Sequence, residues 1–151
     1  IIPEQLLHCA AQRCAMRIFC GDGQFKEHWM SITSPHGQVL VHLDIARAVE
    51  QIGDEDALRG MLPMLQEMLD RDLPRIQQCF DQQDVRGANP MLHSLKGCLP
   101  IFCAPALCDH VAQVEQMTKA GVGPEVGEAF ALLSPKLQQL QQEIAFYLAS
   151  V

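Results

Sequence analysis

The sequence predicts an all-α protein, an up-and-down four-helix bundle with accessory N-terminal helices. Three observations carry that expectation. Leu, Met, Ala and Gln abound while aromatics make up only 5% of the 151 residues, a composition that favours helix over strand. Apolar residues recur at offsets of three and four along several long stretches. Short segments rich in Gly, Pro, Asn and Asp join those stretches, as helix starts and stops do. Val39-Leu40-Val41 is the only β-like run, and it is too short to matter.

Taken in order, Pro3 suits a first helical position, and Leu6, Leu7, Ala10, Cys14 and Phe19 keep helical spacing up to Gly21-Asp22-Gly23. A helix over 3–20 and a shorter one over 24–31 are expected, then a linker over 33–38. Residues 1–38 thus read as an N-terminal helical extension or linker, and 39–151 as the domain proper. Asp44 is placed to cap a short helix ending at Gly53, and Asp54 to cap the next, with Glu55 and Asp56 near its positive end. Leu58, Met61, Leu62, Leu65, Met68, Leu69, Leu73, Ile76 and Phe80 form one apolar stripe. At that spacing the methionines read as core. Pro63 and Pro74 inside the stripe should kink or break the helix. Asn89-Pro90 resembles a cap and first-position pair, so the next helix is expected to start at Pro90, and Pro100 should leave it short or bent near 97–100. Ala104-Pro105 opens a helix ending at Gly121. Pro124 opens the last one, with a kink at Pro135.

A net charge of −7 and the absence of a basic cluster argue against nucleic acid and anionic membranes as partners. No apolar run is long enough to span a bilayer, and no signal-peptide pattern opens the chain. Because it begins at Ile1, it is expected to be a piece of a longer protein or to have lost disordered residues. The seven cysteines contain no C-x-x-C and read as reduced, mostly buried thiols. Zinc accepts ligand types such as Cys9, Cys14, Cys20 and His28, but their spacing matches no known clip. No metal site is expected. Glu55 with Asp56, and Asp70 with Asp72, read as helix-surface charges, and His110 as a solvated histidine on an outer face.

The chemistry concentrates in Met91-Leu92-His93-Ser94-Leu95-Lys96-Gly97. At about 100° per residue, Leu92, Leu95, Leu99 and Phe102 share one side of a helix and His93 lies opposite. Lys96, Gly97 and Pro100 fall within about 60° of His93. A helix that buries its leucines must therefore expose His93 beside one cation and one residue without a side chain. An imidazole nitrogen is a competent nucleophile toward phosphorus near neutral pH. Lys96 can offset phosphate charge, and Gly97 removes bulk where a partner must come close.

The stretch His93-Ser94-Leu95-Lys96-Gly97 resembles the H-x-L-K-G signature of histidine-containing phosphotransfer (HPt) domains of two-component phosphorelays. Leu43-Asp44, Gly53-Asp54-Glu55, the Leu73-Pro74 step, Ala104 and Leu107 extend the likeness, which covers about 110 residues counting the bundle to the C-terminus. The resemblance implies a four-helix bundle in which His93 takes a phosphoryl group from a receiver-domain aspartate and passes it to another receiver. It implies no cofactor of the chain's own, Mg²⁺ held by the partner receiver, and no ATP-dependent kinase activity. The partners implied are response-regulator receiver domains, with the chain either free-standing or a module of a hybrid sensor histidine kinase, cytoplasmic even where that kinase is membrane-anchored. Three positions depart from the family pattern: Pro90 and Pro100, near the His93 face, and Cys103 before Ala104. The two prolines are expected to shape the partner-docking surface. The alternative implied is an HPt-like interaction module that binds receivers without relaying phosphate.

Overall fold

The computed structural model describes residues 39–120 and 123–150. The expected helices over 3–20 and 24–31, the linker over 33–38 and Gly121 lie outside that range. Among the described residues the fold is helical, as predicted. The helices are α1 (Ile45–Ile52), α2 (Glu55–Asp81), α3 (Val85–Cys98), α4 (Pro105–Ala120) and α5 (Pro124–Ala149), with a 3₁₀ turn at Leu99–Ile101 after α3. Helix α2 packs on α3, α3 on α4, α4 on α5, and α5 back on α2, while α1 lies on α2. Leucines from all four long helices fill the centre of this ring. Phe80 of α2 stacks on Phe130 of α5 with ring centroids 4.8 Å apart.

Local chemistry sets most boundaries. The Asp44 carboxylate accepts from the Arg47 N–H and the Asp54 carboxylate from the Ala57 N–H, each satisfying one orphan donor of a first turn. Gly53 closes α1 at φ 93°, the left-handed conformation that glycine adopts without a Cβ penalty. Pro100 ends α3 as expected, by turning it into the 3₁₀ segment.

One sequence expectation is narrowed and one needs correction. Of the kink or break expected at Pro63 and Pro74 the break is absent: α2 runs unbroken through both, as α5 runs through Pro135. All three prolines are exposed, so water can serve the carbonyls left without partners, and burial of the opposite stripe holds the backbone. Helix α3 starts at Val85, five residues before Pro90. Its cap is Asp84, whose carboxylate accepts from the Gly87 N–H at 2.9 Å. Glycine makes room for that cap, because a Cβ there would push the carboxylate aside. Pro90 sits inside the helix on its exposed side, and Ser94 Oγ donates to its carbonyl at 3.1 Å.

The chain enters the bundle as a short strap. The N–H groups of Val41, His42 and Leu43 all donate to the buried Glu143 carboxylate of α5, at 2.8–2.9 Å. Leu43 forms an antiparallel bridge with Cys103, Ala104 N donates to His42 O, and Asp44 N donates to Phe102 O. Arg47 Nε donates to Pro100 O at 3.3 Å. The strap thereby fastens the turn that follows α3.

Replacing the newly located cap tests where α3 begins. Asp84→Ala is expected to cost about 1 kcal/mol of stability, read as a lower urea midpoint. An unchanged midpoint would return the helix start to Pro90.

Candidate functional site

His93 stands on α3 one turn beyond Asn89, with its side chain 67% exposed. The leucines at 92, 95 and 99 are fully buried beneath it, so the face predicted from periodicity is the face observed. Lys96, one turn on, is partly exposed. A Cβ at Gly97 would meet nothing within 4 Å. No helix crossing needs that glycine, which leaves the outside of the molecule as the side it keeps clear. Pro90 is exposed and Pro100 half-buried.

The residue that organises the site was not anticipated. Glu115 of α4 is wholly buried, and three groups converge on its carboxylate. Lys119 Nζ lies 2.8 Å from Oε1, His93 Nδ1 3.1 Å from Oε1, and Lys96 Nζ 3.2 Å from Oε2. The hydrogen bond from Lys119, joined by those from His93 and Lys96, outweighs burial and lowers the Glu115 carboxyl to about 2. Glu115 is therefore an anion throughout the neutral range. An ionised carboxylate only accepts, so the His93 contact is Nδ1–H donating to Oε1. In the neutral ring that leaves the lone pair on Nε2, which has no hydrogen-bond partner among the described residues.

One turn below, Asn89 Nδ2 donates to Thr118 Oγ1 at 2.8 Å and to Glu115 O at 3.3 Å. The Thr118 hydroxyl donates to Glu115 O at 2.6 Å. Asn89 is thus a bridge between helices, not the cap the sequence suggested. Glu115 and Thr118 could have been found: they stand four and seven residues after Val111, on the arc that Val111 and Val114 bury, where an acid needs partners.

Other expectations fare differently. His110 is not simply solvated: it is half-buried, and its Nδ1 lies 3.1 Å from Lys136 Nζ. Burial, then the lysine charge, lowers its pKa, so the ring is neutral and accepts from the lysine. Asp72 is not a surface charge but buried, held by Arg71 at 2.7 and 3.0 Å. Glu55 accepts from Tyr147 Oη at 2.7 Å. Met61 and Met68 are only half-buried, and with exposed Met64 they line a groove of about 160 Å³ against Cys98 and Ile101. Cys79, Cys98, Cys103 and Cys108 are free thiols, of which Cys103 alone is fully buried. No group of three or more His, Cys, Asp or Glu among the described residues could hold a metal ion. Cys9, Cys14, Cys20 and His28 lie outside them. No described helix is long and apolar enough to cross a membrane.

Comparison with known proteins adds one finding. A family model described as Hpt domain matches residues 60–144, more than half of the chain and every residue of this site. No curated protein and no solved structure matches the chain.

The Glu115 anion carries a pH signature. Its folded pKa lies below the ordinary carboxylate value of 4.5, so folding favours the ionised form, and the stabilisation is complete above that value. It should be lost as pH falls from about 4.5 towards about 2. Acid titration of stability should show this loss in the parent protein and a shallower one in Glu115→Gln.

Proposed function

The chain belongs to the Hpt-domain family, whose members serve histidine phosphotransfer in phosphorelays, and from that footing we propose that His93 accepts a phosphoryl group from a receiver-domain aspartate and passes it to a second receiver. The observation that carries this proposal is the buried Glu115 anion holding Nδ1–H of an exposed imidazole. The contact at Nδ1 supports Nε2 as the nucleophile. In the first transfer the Nε2 lone pair forms the N–P bond, the P–O bond of the acyl phosphate breaks, and the aspartate leaves as a carboxylate. No proton has to move, because Nδ1 already carries its hydrogen. The ring becomes cationic, and Glu115 faces that charge at 3.1 Å. A fixed counter-charge aimed where charge develops lowers the barrier without reorganisation. The return step runs the same bonds in reverse onto the second aspartate.

Lys96 and Lys119 each spend one N–H on Glu115 and keep others free for phosphoryl oxygens. The receiver would supply the aspartate and its Mg²⁺, and the chain itself needs no cofactor and has no ATP-dependent kinase activity of its own. Open space at Gly97 supports close approach of the partner. Exposed Pro90 and half-buried Pro100 flank the same face and would shape the docking surface. The unbroken course of α3 through Pro90 supports transfer over binding alone. The same proposal has the domain acting in the cytoplasm, free-standing or as a module of a hybrid sensor histidine kinase.

Incubation with a phosphorylated receiver and Mg²⁺ should label the protein with an acid-labile, base-stable phosphate. His93→Gln should abolish it, and labelling that survives would sink the assignment. Receiver binding without any label would favour the non-transferring interaction module. Gly97→Ala separates fold from approach. It should raise stability by up to about 1 kcal/mol through helix propensity, while slowing transfer from the receiver.

A further inference from the structure

Two polar rungs that share Glu115 tie α3 to α4. The upper rung joins the Glu115 carboxylate to His93 and Lys96. The lower rung joins Asn89 to Thr118 Oγ1 and to the Glu115 carbonyl. Asparagine is a poor helix residue, yet Asn89 lies in mid-helix, four residues before His93 and on the same face. Its carboxamide has two N–H groups, and the two α4 acceptors take both. Thr118 is fully buried and Asn89 half-buried, so these bonds are partly shielded from competing water. Apolar contacts along a helix pair resist sliding weakly, because one methylene replaces another. Directional bonds do not tolerate it. A shift of one residue is about 1.5 Å along the axis, enough to take the carboxylate out of reach of Nδ1.

We infer that Asn89 is a positioning residue for the His93 site: it sets the register of α4 on α3 so that Glu115 meets Nδ1 and keeps the lone pair on Nε2. Its carboxamide donates to α4, so it acts on the imidazole through Glu115. The inference rests on His93 as phosphoacceptor for its kinetic consequence alone. Its structural half concerns the resting imidazole.

The test measures the two ring-nitrogen shifts of His93 by ¹⁵N NMR in the intact chain, without receiver or phosphate. The parent protein should show Nδ1–H as the dominant tautomer. In Asn89→Ala that preference should collapse towards the Nε2–H form usual for free imidazole. Asn89→Asp, which keeps the volume and removes both donors, should do the same. Asp84→Ala is the control, since it weakens α3 at its cap without touching either rung, and it should keep the parent's tautomer. Transfer from a phosphorylated receiver should fall roughly 10- to 100-fold in the Asn89 variants, the scale of an ångström's misplacement, with little change in receiver affinity. An unchanged tautomer in folded Asn89→Ala and Asn89→Asp would overturn the inference, whatever the protein does with phosphate. So would an equal shift in Asp84→Ala, which would make the effect general loosening. A protein that never accepts phosphate but shows the tautomer collapse would keep Asn89's role and reject the phosphorelay assignment.

Discussion

The structure of this site depends on one buried anion. Burying a carboxylate is costly unless its charge is met by partners, and Glu115 meets three. Each partner is thereby fixed as well. The imidazole is held in one tautomer and two flexible lysines are brought to one point. Two helices joined only through residues 99–104 are tied across their seam. Removing the anion would leave three donors without a common acceptor. The concentration of cations at one face is also notable in an acidic chain with a net charge of −7. Local arrangement, not overall composition, decides what that face can receive.

Much of the fold was legible where local chemistry is decisive. Asp44, Gly53 and Asp54 are residues whose side chain or lack of one performs the boundary, and each boundary lies where the sequence placed it. The start of α3 was misread because Asn89-Pro90 has the right residues in the right order for a helix start. What overrode it was tertiary. Asn89 found acceptors on α4, and Asp84 with Gly87 supplied a cap that no apolar period announces. The prolines of α2 and α5 leave their helices continuous for a related reason. Their local cost is real, but each faces water while the opposite face of its helix is locked in the core.

The site divides along the same line. His93, Lys96 and Gly97 share one helix, so their relative placement follows from periodicity alone. Glu115 comes from another helix, 22 residues away, and periodicity within α3 cannot reach it. The pattern that betrays it is a general one. Glu115, Asp72 and Glu143 are the buried acids of the described residues, and each interrupts an apolar arc of its own helix. An acid on a buried stripe has to find donors, and here each does: two lysines and a histidine, an arginine, and three consecutive backbone amides.

The last of these latches has a consequence for how the molecule is assembled in time. The amides of 41–43 reach a carboxylate 100–102 residues further along the chain. Closing so long a loop is entropically unfavourable, and Glu143 occupies its position only once α5 is docked. The contacts between successive helices are far more local, and loop-closure entropy favours them first. The strap can close only after α5 has docked. During synthesis the first stretch of the domain to leave the ribosome therefore waits for its partner, because that partner lies in the final helix.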